Sequence, residues 1–220
     1  MSDQAYRIEF VESAPFAENS YVLWKEGRFD ALVIDPGFDV ESIRAILDSN
    51  GLTTAAILNT HGHSDHIVGN AKMKSAYPAA PLLIGKNDAI CLSDPAANLS
   101  AAYGIPITSP PADRLVDHGE RVELAGFSFE VREIPGHSPG SVIFVFDEFD
   151  PPVVIGGDVI FAGSVGRTDL GGSAAQLFEG IRAHLYTLPD STIIWPGHGP
   201  STTVGREKRS NPFVRDRDAR

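Results

Sequence analysis

Cysteine is almost absent: Cys91 is the single one in 220 residues, which rules out an intramolecular disulfide and leaves it to read as a small buried hydrophobe. Positive charge is also scarce. Eighteen Lys and Arg against 29 Asp and Glu give a formal net charge of −11, a field that repels phosphate backbones and excludes nucleic acid as a general partner. The nearest approach to a basic patch is Arg206, Lys208, Arg209, Arg215 and Arg217, but Glu207, Asp216 and Asp218 interrupt it, so it reads as a solvated tail. No run reaches the roughly 18 apolar residues needed to cross a bilayer. The opening Met1-Ser2-Asp3-Gln4 lacks the basic and apolar regions of a secretory signal, so the expected compartment is the cytoplasm. Phosphate loops, nucleophile elbows and dinucleotide fingerprints are missing too, since Gly156-Gly157 and Gly171-Gly172 do not have the required spacing.

What is present is ordinary globular composition, 42% hydrophobic and 21% charged, enough for one domain over residues 1–220 with 205–220 as a short C-terminal tail. Strand-like and helix-like segments alternate, which predicts an α/β fold. Short β-rich stretches at 7–11, 21–24 and 31–34 read as a meander. From Val40 the spacing of Ile43, Ile46 and Leu47 predicts a helix that Asn50-Gly51 ends. A strand at 55–59 and a helix over 65–76 follow. The second half predicts strands at 127–134, 142–146, 153–155 and 192–195 and a helix over 174–185. The proline-rich stretch 93–112 reads as a surface loop, a plain connection first and a flank of a pocket as the alternative.

Histidine carries the chemistry. Five of seven fall in three turns that each follow a predicted strand: His61, His63 and His66, then His137 in Pro135-Gly136-His137-Ser138-Pro139-Gly140, then His198 in Pro196-Gly197-His198-Gly199-Pro200. Strand ends are where α/β proteins hold their chemistry on rigidly supported loops. His61 and His63 are two apart, so an extended backbone puts both imidazoles on one side. Asp158 follows the apolar run ending at Ile155, where a buried charge is costly unless it meets a cation. Asp35, in Val33-Ile34-Asp35-Pro36-Gly37, reads as a residue that orients a ligand histidine. His118 and His184 lack such settings and read as structural or surface residues. Together His61, His63, Asp65, His66, His137, Asp158 and His198 offer nitrogen and oxygen donors without sulfur, a set suited to zinc or another borderline first-row metal.

The run Thr60-His61-Gly62-His63-Ser64-Asp65-His66-Ile67-Val68-Gly69-Asn70 resembles the signature of the metallo-β-lactamase superfamily. The later elements around Asp35, His137, Gly157-Asp158 and His198 recur in the order of its short glyoxalase II-like hydrolases. The resemblance implies an αββα sandwich with the site at one edge between the sheets. It assigns His61, His63 and His137 to one metal, Asp65, His66 and His198 to a second, and Asp158 to both. The implied cofactors are two divalent ions, zinc first with iron or manganese as alternatives. Asp65 and Asp158 become the catalytic candidates, and Arg167 a substrate-binding candidate through its planar fork, with a salt bridge to Asp169 as the competing role. The implied reaction is attack by a metal-bridging hydroxide on a small-molecule thioester, such as a hydroxyacylglutathione. A thiol of pKa about 8.5 leaves as thiolate without a strong acid, which an amide nitrogen cannot do. Relative to full-length glyoxalase II, the segment after His198 is short, and Asp169 stands where those enzymes carry a glutathione-contacting tyrosine. The same resemblance admits a persulfide dioxygenase using one iron on His61, His137 and Asp158, and less closely a lactonase.

Overall fold

A computed structural model describes residues 5–215. The two-residue period of its strands sorts side chains into layers. One six-stranded sheet runs in the order β1 (Tyr6–Ser13), β2 (Glu18–Lys25), β3 (Asp30–Ile34), β4 (Thr53–Asn59), β5 (Leu82–Gly85) and β6 (Arg114–Val116). The second contains β7 (Arg121–Leu124), β8 (Phe127–Glu133), β9 (Val142–Phe146), β10 (Val153–Gly157), β13 (Ile193–Pro196) and β14 (Thr202–Thr203), ordered β14-β13-β10-β9-β8-β7. A small hairpin, β11 (Ile160–Phe161) with β12 (Ser164–Val165), stands apart.

Tyr21, Leu23, Leu32, Ile34 and Leu58 turn inward to meet Phe129, Phe144 and Phe146 between the sheets. Their neighbours Val22, Trp24, Val33 and Ile57 turn outward, under Ile43 and Leu47 of α1 (Val40–Ser49). On the far side Ile143, Val145, Val154 and Ile194 are covered by Leu177 of α4 (Ala174–Gly180) and by Ile181 and Leu185 of the wider helical turn that continues it. The architecture is therefore helix, sheet, sheet, helix, as the sequence implies. Near-continuous apolar strands such as Val142–Phe146 are buried on both faces for this reason. Asp39 caps α1 by accepting from the Ser42 N–H at 3.1 Å.

Two expectations need correction. The helix predicted over 65–76 is broken into α2 (Ser64–Ile67) and α3 (Asn70–Ala76). At the break the Gly69 N–H bonds the Pro36 carbonyl at 2.8 Å, and a Cβ at Gly69 would collide with the carbonyls of Pro36 and Gly37. The helical hydrogen-bond ladder is interrupted there because the Gly69 N–H is taken by a distant loop, although Val68 and Gly69 keep helical dihedrals. The C-terminal stretch is likewise not a solvated tail over its described part. Val204–Ser210 forms α5, capped by Thr203, with Val204, Glu207 and Val214 fully buried. The Glu207 carboxylate accepts from the Gly163 N–H, the Thr202 hydroxyl and the Asn211 amide, which locks α5 to the β11–β12 hairpin. Met1 to Gln4, Asp216, Arg217 and Asp218, on which the compartment and tail readings drew, lie outside the described residues. No helix among the described residues is long and apolar enough to cross a membrane.

Candidate metal centre

Each donor leaves the C-terminal end of a strand or the turn just beyond it: His61 and His63 after β4, Asp65 and His66 in α2, His137 after β8, Asp158 after β10 and His198 after β13. The two sheets therefore contribute to one edge. His61, His63, His66, His137 and Asp158 are buried, and Asp65 and His198 are partly exposed. Donor atoms of His61, His63 and His137 lie within 4.8 Å of one another, as do those of Asp65, His66 and His198. Asp158 stands between these triads: its Oδ1 is 3.5 Å from His66 Nε2, and its Oδ2 is 3.4 Å from His137 Nε2 and 3.5 Å from His198 Nε2. These separations exceed an ordinary hydrogen bond.

Four histidines are oriented from behind. His137 Nδ1 donates to the Arg167 carbonyl at 2.8 Å, and His198 Nδ1 to the carbonyls of Phe16 and Ala17 at 3.1 Å. His66 Nδ1 donates to Asp35 Oδ2 at 3.1 Å, the orienting role read from the sequence. His61 Nδ1 meets the Thr60 hydroxyl at 3.1 Å, which itself donates to Asp35 Oδ2 at 2.6 Å. With Nδ1 carrying the proton, each Nε2 lone pair is free to face the centre. Yet Nε2 of His61, His66 and His137, and Oδ1 of Asp158, are buried without any hydrogen-bond partner. Four such orphans at one point are costly unless a cation satisfies them, so the residues fit divalent metal.

The electrostatics agree. Burial, reinforced by neighbouring imidazoles, pushes His61 well below the ordinary histidine range, and burial lowers His63 to about 3. Burial opposes the charged form of His66 too, but Asp65, Asp158 and Asp35 outweigh it and hold its pKa well above 6.5. His198 is raised in the same way, mainly by Asp65. Both shifts favour the protonated imidazoles when no cation is bound, and metal must displace those protons. Loading with zinc at pH 7 is accordingly expected to release protons, and apparent affinity should tighten as pH rises through the raised pKa values. Calorimetric titration in two buffers of different ionisation enthalpy checks this: identical heats would contradict it.

Around the donors is a cleft whose other walls are Phe16, Leu99, Tyr103, Arg167 and Leu170. Phe16 and Tyr103 meet edge to face at 5.5 Å. The stretch 93–112 takes the second of its two expected roles and flanks the cleft: it supplies Leu99 and Tyr103, and the Asn98 carbonyl accepts the Ser64 N–H at 3.0 Å beside the histidine turn. Leu99 holds φ at +69°, a conformation that costs a branched residue energy and clusters at functional sites. No sequence pattern marks these apolar walls, because only folding brings them to the donors. Arg167 does line the cleft, and its guanidinium grips Asp169 at 3.0 and 2.9 Å. His118 and His184 pair with each other, ring centroids 4.6 Å apart, away from the centre. Cys91 is buried, and burial pushes its thiol up to about 12, so it is inert at neutral pH.

Two facing sheets with a histidine and aspartate cluster at their shared edge define a metal-binding protein of the αββα class. Residues 14–198 match the family model of the metallo-beta-lactamase superfamily, and the chain belongs to that superfamily, as a metallo-hydrolase. It is 38% identical over 202 residues to a "probable metallo-hydrolase" of Bacillus subtilis, covering 91% of this chain and 93% of the relative. It is 35% identical over 210 residues to a hydroxyacylglutathione hydrolase of Haemophilus influenzae, covering 94% and 97%. Among solved structures, the BLEG-1 B3 metallo-beta-lactamase superposes with a TM-score of 0.89 at 37% identity, covering 94% of this chain and 99% of that one. A protein crystallised in a di-iron-bound form superposes with a TM-score of 0.81 at 38% identity, covering 94% and 100%.

Proposed function

We propose that the chain is one metallo-β-lactamase-type domain that hydrolyses a small-molecule thioester of the hydroxyacylglutathione kind. His61, His63 and His137 would hold one divalent cation, Asp65, His66 and His198 a second, with Asp158 shared. Zinc is the first expectation, and the di-iron neighbour keeps iron in view. The observation that carries the reading is the set of buried, unpartnered imidazole nitrogens converging with Asp158 from both sheets. When bound, such cations lower the pKa of water and polarise an acyl carbonyl.

The protein's own groups do the rest. Asp35, Thr60 and the Arg167 carbonyl fix the imidazoles, so no reorganisation is needed during reaction. Phe16, Leu99, Tyr103 and Leu170 present apolar walls to the substrate body and limit water around the carbonyl. Arg167, 65% exposed at the rim, remains the candidate for a substrate carboxylate. It must exchange Asp169 for that carboxylate. The similarity to the Haemophilus influenzae enzyme supports a thioester, as does leaving-group chemistry, because a thiolate departs without a strong acid.

The deciding experiment assays hydrolysis of S-D-lactoylglutathione beside oxygen uptake with glutathione persulfide. Thioester turnover without oxygen consumption supports the proposal, and the reverse overturns it in favour of a one-iron dioxygenase. Tyr103→Ala, which removes exposed wall and touches no donor, is expected to raise KM roughly 3- to 10-fold with kcat little changed. An effect confined to kcat would contradict a binding role.

A further inference from the structure

Asp88 belongs to none of the turns that bear donors. It sits on the short 3₁₀ segment Lys86–Leu92 that follows β5 and is fully buried. Its carboxylate nevertheless reaches two of those turns. Oδ2 accepts the Gly62 N–H at 2.9 Å and the Ser138 hydroxyl at 2.7 Å, while Oδ1 accepts the Gly140 N–H at 2.5 Å. Gly62 lies between His61 and His63, and Ser138 directly follows His137. The first turn extends from one sheet and the second from the other, so this one carboxylate ties the sheets together beside the centre. Packing reinforces the tie: a Cβ at Gly62 would strike Cys91, and one at Gly140 would strike the Asp88 backbone.

A buried carboxylate whose hydrogen-bond partners are two amides and a hydroxyl is an expensive way to hold loops together. It is justified where precise spacing matters, and the rings concerned are close: His61 and His63 lie 4.9 and 4.5 Å from His137. An ionised carboxylate offers acceptors on both oxygens, which matches the three donors that meet this one. We propose that Asp88 is a positioning residue that sets the separation of His61 and His63 from His137, and thereby the affinity of the three-histidine position for a divalent cation. The inference rests on the metal reading of those residues given above.

The test uses Asp88→Asn, nearly isosteric, in which the new NH₂ faces an amide N–H and cannot accept it. Zinc binding to purified metal-free protein is measured by competition with a chromophoric chelator. Two steps are expected in the wild type, and His63→Ala identifies the one that depends on the three-histidine position. Asp88→Asn should weaken that step about 10- to 100-fold and leave the other within about threefold. Glu207→Gln, altering an equally buried carboxylate far from the donors, should lower Tm without moving either step. If Asp88→Asn moves neither step, or weakens both alike, the proposal is overturned. Should Asp88→Asn fail to fold, Ser138→Ala removes one of the three contacts and must shift the same step in the same direction. A wild type that takes up one zinc would defeat the two-cation reading, and Asp88 would still be judged on whether its replacement weakens that single site.

Discussion

Replacing Asp158 by alanine is expected to remove bound metal and activity together. Its two oxygens lie 3.4 to 3.5 Å from Nε2 of His66, His137 and His198, so its carboxylate lies beside members of both triads. On the proposed assignment its loss deprives two cations of a shared anionic ligand and leaves the imidazoles to repel whatever charge remains. Loss of a residue that merely orients a ligand typically costs about 10- to 100-fold, and loss of a shared ligand should exceed that. Metal content should fall below two per chain and thioester turnover by more than about 100-fold. Elemental analysis after gel filtration provides the check. Full metal loading in the variant would remove Asp158 from its bridging role.

Phe144→Ala is expected to cost about 3–5 kcal/mol of stability. Phe144 is fully buried on β9, where it faces across the sandwich and packs edge to face on Phe129 at 5.6 Å. Truncation leaves a cavity between two sheets whose other contacts keep them apart, so little collapse can relieve it. Against a typical total of about 5–15 kcal/mol the loss is large. Urea unfolding of the metal-free protein reads it without the contribution of bound cation. The midpoint should fall with the slope m unchanged. A shift equivalent to less than about 1 kcal/mol would mean that the inter-sheet core is plastic at this point.

The clustering of the candidate donors was legible because their signals are local. His61 to His66 lie within six positions of each other, and His137, Asp158 and His198 each follow an apolar strand closely enough for the strand's end to locate them. The sandwich was legible for the same reason, in runs such as Val142 to Phe146 that have no polar face to turn to water. Features created by long-range contact were not. Gly69 interrupts a helix only because Pro36 and Gly37 pack onto it. The acid at Glu207 looks like one more interruption in a charged tail until Gly163, Thr202 and Asn211 supply its donors. Leu99 and Tyr103 join the cleft wall from a stretch whose prolines and small residues suggest a surface loop able to flank a pocket, without indicating which of its side chains would do so. Asp88 follows a short strand as the donors do, but nothing in its neighbours indicates that Gly62 and Gly140 will meet it.

The central claim is that two cations, held by the seven donors, support thioester hydrolysis. Titrating metal-free protein with zinc while following S-D-lactoylglutathione hydrolysis tests it most directly. Activity is expected to reach its plateau at two equivalents per chain. A plateau at one equivalent, or activity that appears only with iron and oxygen consumption, would contradict the account.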